Sequence, residues 1–296
     1  MRKNKPMKGF TLIELSLSMV FISLLSLAVV LIIMNTVSAY RRGLTMNQVN
    51  SLGQEIIDDI RVTIQNSPAV SIENQCSARY PDEADRTDRD RCESSHAAYL
   101  VSINRSQAIK IATENSSINV PVFGAICIGS YSYIWNSGYA FSNDVSTEGG
   151  AVAKAKLIIT DGNSTVNSFA DFRLIKVTDQ HRTICSQHIK DYPEGTPTVG
   201  ADFKITNQET GGEEPVLLID NESDFAIYSL EMYAPAESND GTSLFYSGSM
   251  ILGTIRGGPS IKSGDSSCKT PDSAISDFDY CAINKFKFAA RAGNGV

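Results

Sequence analysis

Apolar and polar positions divide the chain into three stretches. From Phe10 to Met34 the residues are almost wholly apolar, and between Phe10 and Tyr40 Glu14 is the only charge. Twenty-five residues at about 1.5 Å each make roughly 37 Å of helix, enough to cross a hydrocarbon core of about 30 Å. No Pro or Gly falls between Phe10 and Arg42, so the helix has no breaker to kink it. Next, Met46, Val49, Leu52, Ile56, Ile60 and Ile64 recur at spacings of three and four, with Asp58, Asp59 and Arg61 off that stripe. This is an amphipathic helix that needs a surface to lie against. Ser67-Pro68 is a natural stop, so one helix is predicted from Phe10 to Gln65.

The third stretch reads as strands. Ala98–Ile103, Ala108–Ala112, Val120–Ile128, Tyr131–Trp135, Lys156–Thr160, Phe169–Val177, Ala226–Tyr233 and Leu244–Ile255 are rich in β-branched and aromatic residues. A closing strand is expected near Phe278–Phe288, apolar at Ala282, Phe286 and Phe288. Asp161-Gly162 and Asp240-Gly241 are turn signals. Asp191–Pro215, with three Pro, four Gly and few apolar residues, reads as a long loop or a subdomain boundary. The expected class is α+β, a long N-terminal helix packed on an antiparallel β-rich globular head. The expected segments are a leader at 1–9, a spanning helix at 10–37, its amphipathic continuation at 38–67 and the head at 68–296.

Composition sharpens this division. The chain has 296 residues, 42% of them hydrophobic, and a net charge of −7, which argues against the broad basic footprint of nonspecific nucleic-acid binding. Arg2, Lys3, Lys5 and Lys8 precede the span and Arg41 and Arg42 follow it, which favours a cytoplasmic N-terminus and an exported remainder. A cleaved secretory signal would use Val37-Ser38-Ala39, but the apolar run is too long for one. A plain signal anchor leaves Glu14 unexplained, since a carboxylate costs about 2.5–3.5 kcal/mol at the membrane centre and less near its edge.

Lys8-Gly9-Phe10-Thr11-Leu12-Ile13-Glu14-Leu15 resembles the class III signal of type IV pilins and pseudopilins: a short basic leader ending in Gly, then Phe, with Glu four residues on. The resemblance covers the first 35 or so residues. It implies cleavage between Gly9 and Phe10 by prepilin peptidase, methylation of the new N-terminus at Phe10, and pairing of Glu14 with an N-terminal ammonium during filament assembly. Two groups costly to bury singly are tolerable when they pair. Major pilins of the best-known kind carry a Pro about twenty residues into the mature helix; this chain reads Val30-Leu31-Ile32 there. That departure leans towards a minor pilin or pseudopilin, and a head of about 230 residues favours a minor over a major pilin. Glu14 is typically missing from the extreme tip pseudopilin, so its presence argues against that position.

The implied function is a structural subunit of a type IV pilus or related filament. It would sit in the cytoplasmic membrane as a single-pass precursor and then in a cell-surface pilus. Partners implied are the peptidase, other pilin subunits, an assembly ATPase and its platform protein. A type II secretion pseudopilin and a membrane-anchored adhesin or binding module are the alternatives.

Cys76, Cys92, Cys127, Cys185, Cys268 and Cys281 make an even set on the exported side, where disulfides are expected. Loop closure favours Cys76 with Cys92 and Cys268 with Cys281, leaving Cys127 with Cys185. The first pair would close a run with nine charges between Arg79 and Arg91, which reads as a solvated, self-compensating loop. Asp277-Phe278-Asp279 and Asp161-Gly162-Asn163 offer oxygen ligands for calcium, but such groupings are commonplace near turns and no cofactor is expected. Asp179, His181, Cys185 and His188 form the one metal-like cluster, with Cys185 expected in a disulfide instead. No catalytic motif such as G-x-S-x-G or H-E-x-x-H occurs, and no enzyme is expected. Tyr131, Tyr133, Trp135, Tyr139 and Phe141 occupy odd positions, which puts most of them on one strand face as core. Lys285, Lys287 and Arg291 are the basic cluster not offset nearby, and no specific nucleic acid is indicated.

Overall fold

A computed structural model describes residues 11–67, 100–101, 109–113, 116–120, 123–138, 141, 156–169, 172–180, 183–184, 202–237, 244–257, 267–268 and 280–292. The chain divides into two compact units, Met1–Leu44 and Thr45–Val296. A long helix, α1 (Leu12–Gln65), precedes thirteen strands among the described residues, an α+β class. Ser67 closes the helix end: its hydroxyl donates to Thr63 O at 2.6 Å and its amide to Ile64 O at 3.1 Å.

Five strands form the central sheet of the second unit, in the order β1 (Leu100–Val101), β4 (Phe123–Ile128), β5 (Tyr131–Asn136), β8 (Leu174–Thr178), β10 (Val216–Ile219). A second sheet runs β11 (Phe225–Glu237), β12 (Leu244–Thr254), β13 (Ile283–Ala292), all antiparallel. Among the described residues one isolated bridge, Ser137 to Ile227, links these two sheets. The third sheet is β7 (Ser164–Phe169), β6 (Lys156–Asp161), β9 (Asp202–Thr206). A hairpin of β2 (Ile109–Thr113) and β3 (Ser116–Val120) completes the set.

The strand period of two sorts the central sheet's side chains onto two faces, and both are covered. On one face Ile126, Ile128, Tyr133, Trp135 and Leu174 join a core with Val49, Ile56, Ile57, Ile60 and Ile64 of α1 and with Met250, Phe286 and Phe288 of the second sheet. On the other face Phe123, Ala125, Cys127, Ile134, Ile175 and Val177 pack with Leu157, Ile159, Phe203 and Ile205 of β6 and β9. Burial on both faces explains why β4 is apolar throughout rather than alternating.

Four expectations are corrected. The run read as one strand from Val120 to Ile128 is two, β3 and β4, in different sheets; Pro121 between them carries no amide for a ladder. The run from Phe169 to Val177 likewise divides between β7 and β8. The stretch Asp191–Pro215, expected as a long loop or a subdomain boundary, is not loop throughout: it contains β9, whose Phe203 and Ile205 are buried. β9 pairs in parallel with β6, from Lys156↔Asp202 to Thr160↔Thr206, so the head is not purely antiparallel. Only two apolar residues at i and i+2 signalled it, too few to stand out from a Gly- and Pro-rich stretch.

Candidate membrane and assembly segment

Every side chain from Thr11 to Val37 is exposed, including Leu12 at 86% and Ile13 at 75%. Among the described residues α1 is the one helix long and apolar enough to cross a membrane. An apolar surface of this extent is not left bare in water. Its polar side chains turn inward on the backbone: Ser16 donates to Ile13 O, Ser18 to Leu15 O, Ser23 to Met19 O and Thr36 to Ile32 O, all within 3.0 Å. Each such bond reduces the cost of carrying a hydroxyl into an apolar medium.

Glu14 is bound within its own helix. The Thr11 amide and hydroxyl donate to Glu14 Oε2 at 3.0 and 2.9 Å, and the Glu14 amide approaches Thr11 Oγ1 at 3.3 Å. This is a capping box: the N-cap side chain meets the N3 amide while the N3 carboxylate reaches back to the N-cap amide. A carboxylate in the first turn also faces the positive end of the helix dipole. Thr11 is therefore a positioning residue for Glu14. The T-x-x-E spacing carries that signal, although the hydropathy pattern passes over it. Gly9 and Phe10, the residues of the expected cleavage and methylation site, lie outside the described residues.

In the second unit, the α1 stripe is joined to the sheets by a polar cluster that the stripe did not reveal. Asp59 lies half-buried rather than off the packing face. Lys176 Nζ donates to Asp59 Oδ1 and Oδ2 at 2.9 and 3.1 Å and to Thr63 Oγ1 at 3.0 Å. Tyr133 Oη donates to Asp59 Oδ2 at 2.7 Å and lies 2.7 Å from Thr63 Oγ1. Burial, reinforced by the Asp59 carboxylate, raises the Tyr133 phenol far above its ordinary range, so it remains a neutral donor. Lys176 also sits 4.7 Å from the Tyr131 ring centre and 5.4 Å from that of Tyr133. Lys176 shares its strand face with Leu174, which explains why β8 carries a charge toward the helix.

Other candidates are dispersed. Cys268 and Cys281 form a disulfide. Cys127 is also disulfide-bonded; Cys76, Cys92 and Cys185 lie outside the described residues. His181, His188, Asp277, Asp279, Tyr139 and the charged run 79–91 lie outside as well. Asp179 is buried beyond the end of β8 and accepts from Ser132 Oγ at 2.8 Å and from the amides of Thr183 and Ile184 at 2.8 and 3.2 Å. Burial raises its pKa, opposed by those hydrogen bonds. No group of three or more His, Cys, Asp or Glu among the described residues is placed to hold a metal ion. Phe141 lies 3.5 Å beneath the Arg173 guanidinium. Lys285, Lys287 and Arg291 are exposed along one face of β13, alternating with the core-facing Phe286, Phe288, Ala290 and Ala292.

Comparison of the chain with protein-family models, with curated proteins and with solved structures found no match.

Proposed function

We propose that the chain is a type IV pilin-like subunit, of the minor kind, processed between Gly9 and Phe10 and assembled through the first part of α1. The observation that carries this reading is the Lys8–Leu15 segment running directly into a capped helix whose residues from Thr11 to Val37 are all exposed. A precursor would hold that surface in lipid. In the filament, neighbouring helices replace the lipid, so the apolar contact is exchanged rather than lost and extraction needs work only during the transfer. The capping box keeps the Glu14 carboxylate hydrogen-bonded in the membrane. Its charge is then presented at the level where the ammonium of a neighbouring Phe10 arrives. The second unit stays outside and supplies the surface function.

The test is mass spectrometry of the mature protein from cells that contain a prepilin peptidase. An N-terminus at Phe10 bearing one methyl group is expected. A chain that begins at Met1 or Tyr40 overturns the proposal. Quantifying the subunit in sheared filaments distinguishes a minor component, present at a small fraction of the principal pilin, from the repeating one.

A further inference from the structure

The β6–β7 hairpin carries a feature that the filament reading does not use. Asp161 pairs with Ser164, and Gly162-Asn163 forms the two-residue tip, with Gly162 at φ +67°. The tip reads Asp161-Gly162-Asn163-Ser164-Thr165, an N-x-T acceptor for N-glycosylation with a carboxylate two residues before the asparagine. We infer that Asn163 is a glycosylation site, modified on the exported face of the membrane by an oligosaccharyltransferase. The inference rests on the exported-head reading above.

Three structural observations favour this asparagine. First, every side chain from Asp161 to Val166 is exposed, so an enzyme can reach the acceptor on the folded protein. Second, β7 is an edge strand, bonded only to β6 among the described residues, and its register slips where Ile159 opposes Asn167 and Thr160 opposes Thr165. Val166 is left unpaired at that bulge, so only two residue pairs hold the tip beyond it. Third, peeling Asn163–Val166 away uncovers no core, because the buried residues of this sheet, Leu157, Ile159, Phe203 and Ile205, belong to β6 and β9. The tip can therefore enter an extended or turned conformation in an active site at little cost.

The other sequons are less suited. At Asn221-Glu222-Ser223 the Ser223 amide donates to Asp220 Oδ1 at 2.6 Å and its hydroxyl accepts from the Phe225 amide at 3.2 Å. Arg173 binds the Asn221 carbonyl there, and the residue two before the asparagine is the buried Ile219. Asn104 and Asn115 have Ser102 and Thr113 at that place and lie outside the described residues. Only Asn163 combines the hydroxyl at +2 with an acidic side chain at −2, which gives a transferase a charge to grip with a cationic group.

The chemistry balances with a polyprenyl-diphosphate-linked oligosaccharide as donor. The Asn163 side-chain nitrogen attacks the anomeric carbon, the new N–C bond forms, the C–O bond to the diphosphate breaks, and polyprenyl diphosphate leaves as the amide nitrogen loses a proton.

The test expresses the full chain in a bacterial host carrying a membrane oligosaccharyltransferase and a lipid-linked N-acetylgalactosamine-containing heptasaccharide, beside a host without the transferase. Intact mass and glycopeptide sequencing read the modification. The Cys268–Cys281 disulfide, read in the same sample, reports whether the head reached an oxidising compartment. Expected are the glycan's mass on the Asn163 peptide, its loss in N163Q and in the near-isosteric T165V, and its retention in T165S. A formed disulfide with Asn163 bare, while a control acceptor protein is modified, overturns this inference alone. Reduced Cys268 and Cys281 overturn both it and the exported-head reading.

Discussion

Two glycines of α1 show opposite consequences of a missing side chain. A Cβ on Gly53 would lie 2.2 Å from Phe286 Cζ, inside the packed core, whereas a Cβ on Gly43 would meet nothing within 4 Å. Gly53→Ala should destabilise the second unit by about 1–2 kcal/mol, the overpacking cost being partly offset by better helix propensity. Gly43→Ala should instead slow amide exchange around residues 40–47, by up to about 1 kcal/mol of local stability. Urea unfolding and hydrogen exchange measure the two, and equal signs would contradict the packing account. In the polar cluster, Tyr133→Phe should cost about 1–2 kcal/mol through the lost donor to Asp59. Asp59→Ala should cost more, roughly 3 kcal/mol, because it leaves the largely buried Lys176 ammonium without its counter-charge. If urea unfolding reverses that order, Asp59 is not the hub of the cluster. The periodicity named Ile56, Ile60 and Ile64 correctly, since apolar side chains announce their burial by type. It misplaced Asp59, because a carboxylate between stripe positions looks solvent-facing until a lysine on a distant strand is brought to it.

Among the elements, the loops after β8 and β12 each carry a testable device. Burial raises the pKa of Asp179, and that of Asp224 shifts the same way. An acid that holds its proton more tightly when folded contributes stability that is full below its unfolded value and is lost as pH rises through the folded pKa. The urea midpoint should therefore carry a component that falls as pH rises from the ordinary carboxylate range through that raised value. Asp179→Asn should flatten this component; an unchanged slope in the variant would assign it elsewhere. The disulfide Cys268–Cys281 joins residues 13 apart just before β13. Cys268→Ser with Cys281→Ser should cost about 3 kcal/mol by loop closure, read as a lower urea midpoint. Nearby, Thr254 Oγ1 donates to Tyr280 O at 2.6 Å and Tyr228 Oη to Thr254 O at 2.6 Å, so local order should survive the loss in part. Strand existence was largely legible from β-branched and aromatic runs. Strand boundaries at Pro121 and between β7 and β8 were not, because contiguous apolar residues can feed two different sheets.

For the whole molecule, removal of residues 1–9 takes four cations from a chain of net −7, leaving −11. Under the proposed function, Glu14→Ala should leave membrane insertion intact or improve it, because a carboxylate is removed from the span. The same variant should fall sharply in sheared filaments while remaining in the membrane fraction. Normal incorporation would show that Glu14 serves only to cap its own helix.

The long apolar N-terminal helix, its stop at Ser67 and the α+β class were determined by the sequence alone, since they depend on local periodicity, apolar length and the residues that end helices. The partners across the fold were decided by tertiary structure: β9 beside β6, the central sheet covered on both faces, and Lys176 meeting Asp59 across 117 positions of sequence. Such contacts form between segments whose local patterns carry no record of each other. Their free energy comes from excluding water at a surface that exists only once the chain is folded.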